Sequence, residues 1–142
     1  MIPDFDPMTG YLPPGEHHAT WDEVVERFGW NDHRRHLLSG LRRMAMNLHE
    51  AGCKFFLLDG SFVTAKDVPK DYDACCDFSS VDVRIVDDRF GGSGLEMKLE
   101  YFGELYADQS FARGGYTFRE FFQTDRDGMS KGVVRLQLDT VK

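Results

Sequence analysis

The residues best equipped for chemistry lie in one stretch, Leu58-Asp59-Gly60-Ser61-Phe62-Val63-Thr64-Ala65-Lys66-Asp67-Val68-Pro69-Lys70-Asp71-Tyr72-Asp73. Asp71 and Asp73 are one residue apart. Side chains alternate faces on an extended strand, so the two carboxylates share a face, about 6–7 Å apart. Such a pair suits Mg²⁺, which takes hard oxygen ligands and commonly bridges to substrate phosphates. Upstream, Gly60-Ser61 follows a short apolar run. A glycine there lets the backbone come close to a phosphate that a Cβ would crowd, and turn amides with a hydroxyl suit an anion. The spacing therefore points to metal-dependent phosphate chemistry.

An apolar strand, Gly-Ser, a spacer of this length and Asp-x-Asp on the next strand together resemble the signature of the polymerase-β-like nucleotidyltransferase superfamily. The run is most similar to the minimal nucleotidyltransferases. Among these it resembles a short bacterial family of unknown function with a Gly-Ser-Phe-Val-Thr-x-Lys pattern, and the specific match covers residues 54–78. The resemblance implies Mg²⁺-dependent transfer of a nucleoside monophosphate from an NTP to a hydroxyl. Asp71 and Asp73 would be the catalytic, metal-ligating carboxylates. Gly60, Ser61, Thr64 and Lys66 would meet the phosphates, Ser61 at a β- or γ-phosphate oxygen. In such chemistry the catalyst mainly positions the groups and neutralises charge.

In similar proteins the acceptor is a protein side chain, an RNA 3′ end or a small molecule. So short a chain has little room for a dedicated acceptor pocket, which favours a protein or RNA acceptor. Small bacterial proteins of this kind often belong to toxin–antitoxin or phage-defence pairs, which brings in a protein partner from the same operon. Two positions depart from the superfamily pattern. Asp59 stands where an apolar residue is usual, and the third carboxylate is either one of Glu100, Glu104, Asp108, Asp125 and Asp139 or absent. The alternative reading is a catalytically degenerate nucleotidyltransferase-fold module that acts as antitoxin, adaptor or nucleotide sensor.

Composition bounds these readings. A chain of 142 residues with 42% hydrophobic content predicts one globular domain with a substantial core. No apolar run approaches the roughly 20 residues of a membrane span, so no membrane partner is expected. The segment Met1-Ile2-Pro3-Asp4-Phe5-Asp6 does not read as a secretory leader. Three cysteines, two of them adjacent at Cys75-Cys76, argue against a disulfide framework and point to a reducing cytoplasm. A net charge of −7 argues against non-specific DNA binding.

The charge is uneven. Arg27, Arg34, Arg35, Arg42, Arg43 and Lys54 face only Asp32 and Glu50 within residues 27–54. This reads first as a solvated helix face and second as a docking surface for RNA, NTP phosphates or an acidic protein. His33 and His36, with His17-His18 upstream, lack the further ligands that a zinc site needs.

The expected fold is α+β, with two N-terminal helices packed on a small mixed β-sheet. Residues 1–19 read as an extended arm, since Pro3, Pro7, Pro13 and Pro14 forbid a helix, and residues 20–142 as a single nucleotidyltransferase-like domain. Thr20-Trp21-Asp22-Glu23 is a capping box that opens a short helix ending at Gly29. A second helix is predicted from about Asn31 to Glu50, with Leu37, Leu38, Leu41, Met44, Ala45 and Leu48 as its apolar stripe. Residues 54–59 and 71–78 read as strands, Tyr72, Ala74 and Cys76 facing the core if Asp71 and Asp73 face the site. Val81–Val86 is open between helix and strand, residues 90–94 read as a flexible loop, and residues 95–106 are ambiguous but strand-prone. Residues 118–124 and 132–138, flanking Asp125-Arg126-Asp127-Gly128, predict a hairpin.

Overall fold

Thr20 opens the first helix, α1 (Trp21–Phe28), as the capping box predicts: its hydroxyl accepts from the Glu23 amide while the Glu23 carboxylate accepts from the Thr20 amide. Asn31 caps α2 (Asp32–Glu50) by a single bond, its side-chain oxygen accepting from the Arg34 amide. Every residue of the predicted α2 stripe is buried. Each such leucine or methionine contributes roughly 1.5–3 kcal/mol by leaving water. This computed structural model describes residues 1–91 and 94–142.

Five strands form one sheet: β1 (Gly15–Ala19), β2 (Phe56–Asp59), β3 (Tyr72–Cys76), β4 (Gly103–Ala107) and β5 (Gly132–Leu136). Their order is β1-β5-β2-β3-β4. The outer pairs β1·β5 and β3·β4 are parallel, and the inner pairs β5·β2 and β2·β3 are antiparallel. The result is a mixed α+β fold.

Alternation divides the sheet into two faces. Phe56, Leu58, Tyr72, Ala74, Cys76, Leu105, Val134 and Leu136 form one core with the stripes of α1 and α2. On the opposite face a smaller cluster joins Phe55, Leu57, Cys75, Val133 and Phe122.

Several expectations change. The arm is not merely extended: Gly15–Ala19 becomes an edge strand, and Ile2 and Leu12 are buried in the main core. Residues 95–106 split into helix α3 (Gly94–Tyr101) and strand β4. The break is Phe102, in the left-handed conformation (φ 66°) that commonly ends a helix. At Gly40 of α2 a Cβ would lie 2.0 Å from the Tyr101 carbonyl oxygen, so α2 and the end of α3 meet this closely only through a glycine.

Val81–Val86 is neither helix nor strand but a series of turns. The loop expected over residues 90–94 falls partly outside the described residues; Gly91 ends a 3₁₀ turn and Gly94 begins α3. The hairpin does not form. Thr117 and Glu120 make a second capping box that starts a short helix, α4 (Phe118–Phe121), and β5 pairs with β2 and β1 instead. Only an isolated Thr124–Ser130 bridge remains across the Asp125–Gly128 turn.

Candidate active site

β2 ends in Asp59, and the chain then turns through Gly60 into a 3₁₀ turn, Ser61–Val63. Gly60 has φ 87°, which a side chain tolerates poorly. A Cβ there would also lie 3.1 Å from the Asp73 amide nitrogen and 3.2 Å from Asp73 Oδ2. Glycine thus brings the turn directly against the second carboxylate of the Asp-x-Asp pair.

The spacer back to β3 is clamped by the start of α2. The Arg34 side chain is fully buried and donates to four main-chain carbonyls: Phe28 (3.1 Å), Phe62 (2.7 Å), Thr64 (2.9 Å) and Lys66 (3.2 Å from Nε). Its guanidinium also lies over the Trp30 ring, 3.6 Å from the centroid. Asn31 Nδ2 donates to the Asp67 carbonyl (2.7 Å), Trp30 Nε1 to the Asp67 carboxylate (3.1 Å), and His33 contacts the Pro69 carbonyl. A planar fork that satisfies several carbonyls at once is a role that arginine fills and lysine does not.

Arg34 was not legible as a loop clamp, because its partners are main-chain atoms that a sequence does not display. The arginines of the basic stripe also make contacts within the chain. Arg27 donates to the Ile2 and Pro3 carbonyls, Arg35 to that of Gly29, Arg42 to that of Lys142, and Arg43 pairs with Glu100.

β3 sets Asp73 between two further carboxylates. Asp59 of β2 is its antiparallel register partner, and Glu104 of β4 its parallel one. Asp71, one residue before β3, lies close enough to Glu104 that a single ammonium, Lys98 of α3, reaches both: Nζ is 2.9 Å from Glu104 Oε1 and 3.4 Å from Asp71 Oδ2. Glu104 accepts a further bond from the Tyr106 hydroxyl. Asp59 is only 2% exposed; its Oδ2 pairs with Lys131 at 3.3 Å, while its buried Oδ1 has no hydrogen-bond partner. Four carboxylates thus face two ammonium groups, an excess of two negative charges.

The proton affinities record this crowding. Asp73 is pushed up to about 7, first by burial and then by the charges of Asp71, Asp59 and Glu104, with Lys131 opposing. Burial likewise raises Asp59 to about 6, against the pull of Lys131 and the Gly60 amide. Glu104 would also be raised by burial, but its bonds from Tyr106 and Lys98 outweigh this and hold it low.

The sequence-predicted residues are thus brought together in part. Gly60 touches Asp73 near the start of β3, and Asp71 immediately precedes that strand. Ser61 starts the turn beside them. The Thr64 hydroxyl instead closes that turn, donating to the Ser61 carbonyl (2.6 Å) and accepting from the Lys66 amide (3.2 Å). Lys66 offers its carbonyl to Arg34 and leaves its side chain exposed.

Of the five third-carboxylate candidates, Glu104 is the one in register with Asp73. Glu100 pairs with Arg43, the Asp125 side chain organises its own turn by accepting from the Asp127 and Met129 amides, and Asp108 is buried next to Gln109. Asp139 lines a separate cavity of about 440 Å³, shared with His18, His49, Lys54 and Arg135 at the opposite end of β2 and β5. Lys98 and Lys131 drew no notice in the sequence, and nothing short of the β3·β4 pairing and the approach to β5 marks them.

Fit to a divalent cation can be judged from these atoms. The cluster offers hard carboxylate oxygens and an orphaned buried Oδ1, the donor type that a divalent cation takes, while two lysines hold part of it. Among the described residues no three His, Cys, Asp or Glu side chains converge as ligands, and Lys98 pairs with both Asp71 and Glu104.

Over residues 3–137 the sequence matches a family described as of unknown function, DUF6932. The chain belongs to the DUF6932 family. The DUF6932 match takes in all five strands and with them the whole carboxylate cluster. Comparison with curated proteins and with solved structures returns no match. Among the described residues no helix is long and apolar enough to cross a membrane.

Proposed function

We propose that this protein is a Mg²⁺-dependent nucleotidyltransferase that moves a nucleoside monophosphate from an NTP to a hydroxyl on a protein or RNA acceptor. The observation that carries this reading is the register of β4 against β3, which sets Glu104 beside Asp73 and supplies a third carboxylate next to Asp71. Asp71, Asp73 and Glu104 would hold the metal, which when bound neutralises the triphosphate and favours ionisation of the attacking hydroxyl. Gly60 lets the turn pack against Asp73, and the Ser61 hydroxyl beside it would offer the triphosphate a hydrogen bond. Arg34 keeps the Gly60–Lys66 turn in place, so that phosphate contacts and carboxylates hold a fixed separation.

A second reading, a non-catalytic binding module, is favoured by one observation: Lys98 already bridges Asp71 and Glu104. A toxin–antitoxin or phage-defence setting, with a partner encoded nearby, is compatible with either reading and rests on family resemblance alone.

Calorimetric titration with each NTP in the presence of Mg²⁺ separates the two. The enzyme reading predicts magnesium-dependent binding that Asp71→Asn/Asp73→Asn removes, followed by label transfer from α-³²P-NTP to an acceptor. Binding without any metal requirement would favour the module, and no binding by a folded chain would overturn the enzyme reading.

A further inference from the structure

The two lysines of the cluster differ in kind. Lys131 is 17% exposed and sits against the almost fully buried Asp59, which makes it a fixed counter-ion. Lys98 is 46% exposed, and its partners, Asp71 just before β3 and Glu104 of β4, are themselves 34% and 19% exposed. The helix that carries it is anchored by Met97 and Tyr101, which are buried, and by the close approach of Gly40 to the Tyr101 carbonyl. The backbone of α3 is therefore held, while the Lys98 stem keeps several rotatable bonds and solvent on one side. Its ammonium reaches one oxygen of each carboxylate, the atoms that a divalent ion at this place would need.

From this geometry we propose that Lys98 is an exchangeable counter-ion: its ammonium competes with the divalent cation for Asp71 and Glu104, and once displaced it turns to the triphosphate. The proposal rests on the nucleotidyltransferase reading above and adds a role that the Gly-Ser and Asp-x-Asp motifs do not contain. One ammonium and one divalent ion cannot both fill the same lone pairs, so each weakens the other's hold. A displaced ammonium lies a few side-chain rotations from the same cleft, where the phosphates bring the negative charge that it lost. Lys98 would then oppose metal bound alone and favour metal bound with nucleotide, which ties occupancy of the site to the presence of NTP.

The test is Lys98→Met, measured by Mn²⁺ binding from electron paramagnetic resonance and, separately, by calorimetry with Mn²⁺ and a non-hydrolysable ATP analogue. The substitution is at a partly exposed helix position, and a thermal melt checks the fold. Removing the competitor is expected to tighten Mn²⁺ binding about fivefold, the equivalent of one exposed ion pair, and to weaken nucleotide binding in the presence of Mn²⁺ by a factor of about five or more. Lys98→Arg, which keeps a cation able to serve both partners, is expected to stay near wild type in both measurements. Opposite changes in the two affinities support the proposal. Equal or like-signed changes overturn it while leaving the nucleotidyltransferase reading in place, because wild type still binds. Failure of both wild type and Lys98→Met to bind Mn²⁺ overturns both.

Discussion

Alternate residues of β3 live in opposite chemistries. Tyr72, Ala74 and Cys76 look into a core built with α1 and α2, where shape and area decide everything. Asp73 looks the other way, into three other carboxylates, and Cys75 on that same face is surrounded by Phe55, Leu57, Val133 and Phe122. The helix-covered face is thus uniformly stabilising, and the opposite face is stabilising only at the end away from Asp73. Like charges packed on one strand end oppose folding. A fold with an adequate core elsewhere can sustain that penalty, and its location marks where the molecule is arranged for something other than stability.

The largest break in this comparison comes from the helix-covered face. Leu58 is fully buried at the centre of the sheet. Leu58→Ala should cost about 2–5 kcal/mol in chemical denaturation, while a chain that remains folded keeps its carboxylate cluster.

On the other face a substitution should act with the opposite sign. Burial and neighbouring charges raise the Asp73 carboxyl from 3.8 to about 7 on folding. Between those values the folded chain holds this proton more tightly than the unfolded one, so the stability associated with it is fully present below pH 4 and is lost as pH rises through 7. Asp73→Asn, which mimics the protonated carboxyl, should match wild type near pH 4. Above pH 7 it should exceed wild type by about 1.4 kcal/mol or more, the worth of one pKa unit. Paired urea titrations at the two pH values read this directly, and a destabilised Asp73→Asn at pH 8 would remove the crowding argument.

What could be read from the sequence follows the same division. The capping box at Thr20, the α2 stripe and the alternation through β3 are local signals, and each survived folding because the local preference and the core agree. Asp71, Asp73 and Gly60 were likewise visible as spacing. The remainder depends on pairings between distant segments. β1 draws its partner from the far end of the chain, and Gly15-Glu16-His17-His18-Ala19 carries little strand signal of its own. Glu104 could not be separated from Glu100 until a helix ended at Phe102 without a glycine at that position. The Asp-Gly hairpin signal at residues 127–128 lost to the Thr117–Glu120 capping box and to the pairing of β5 with β2. Arg34 reads as part of a basic helix face and Lys98 carries no sequence signal, so their roles exist only in three dimensions.

The most direct test of the central claim is the position of the ion. Crystals grown with Mn²⁺ and a non-hydrolysable NTP analogue would locate manganese by its anomalous scattering. The account predicts density bridging Asp71, Asp73 and Glu104, with the triphosphate against Gly60 and Ser61. A well-ordered chain with nucleotide bound elsewhere, or with no manganese at these carboxylates, would contradict it.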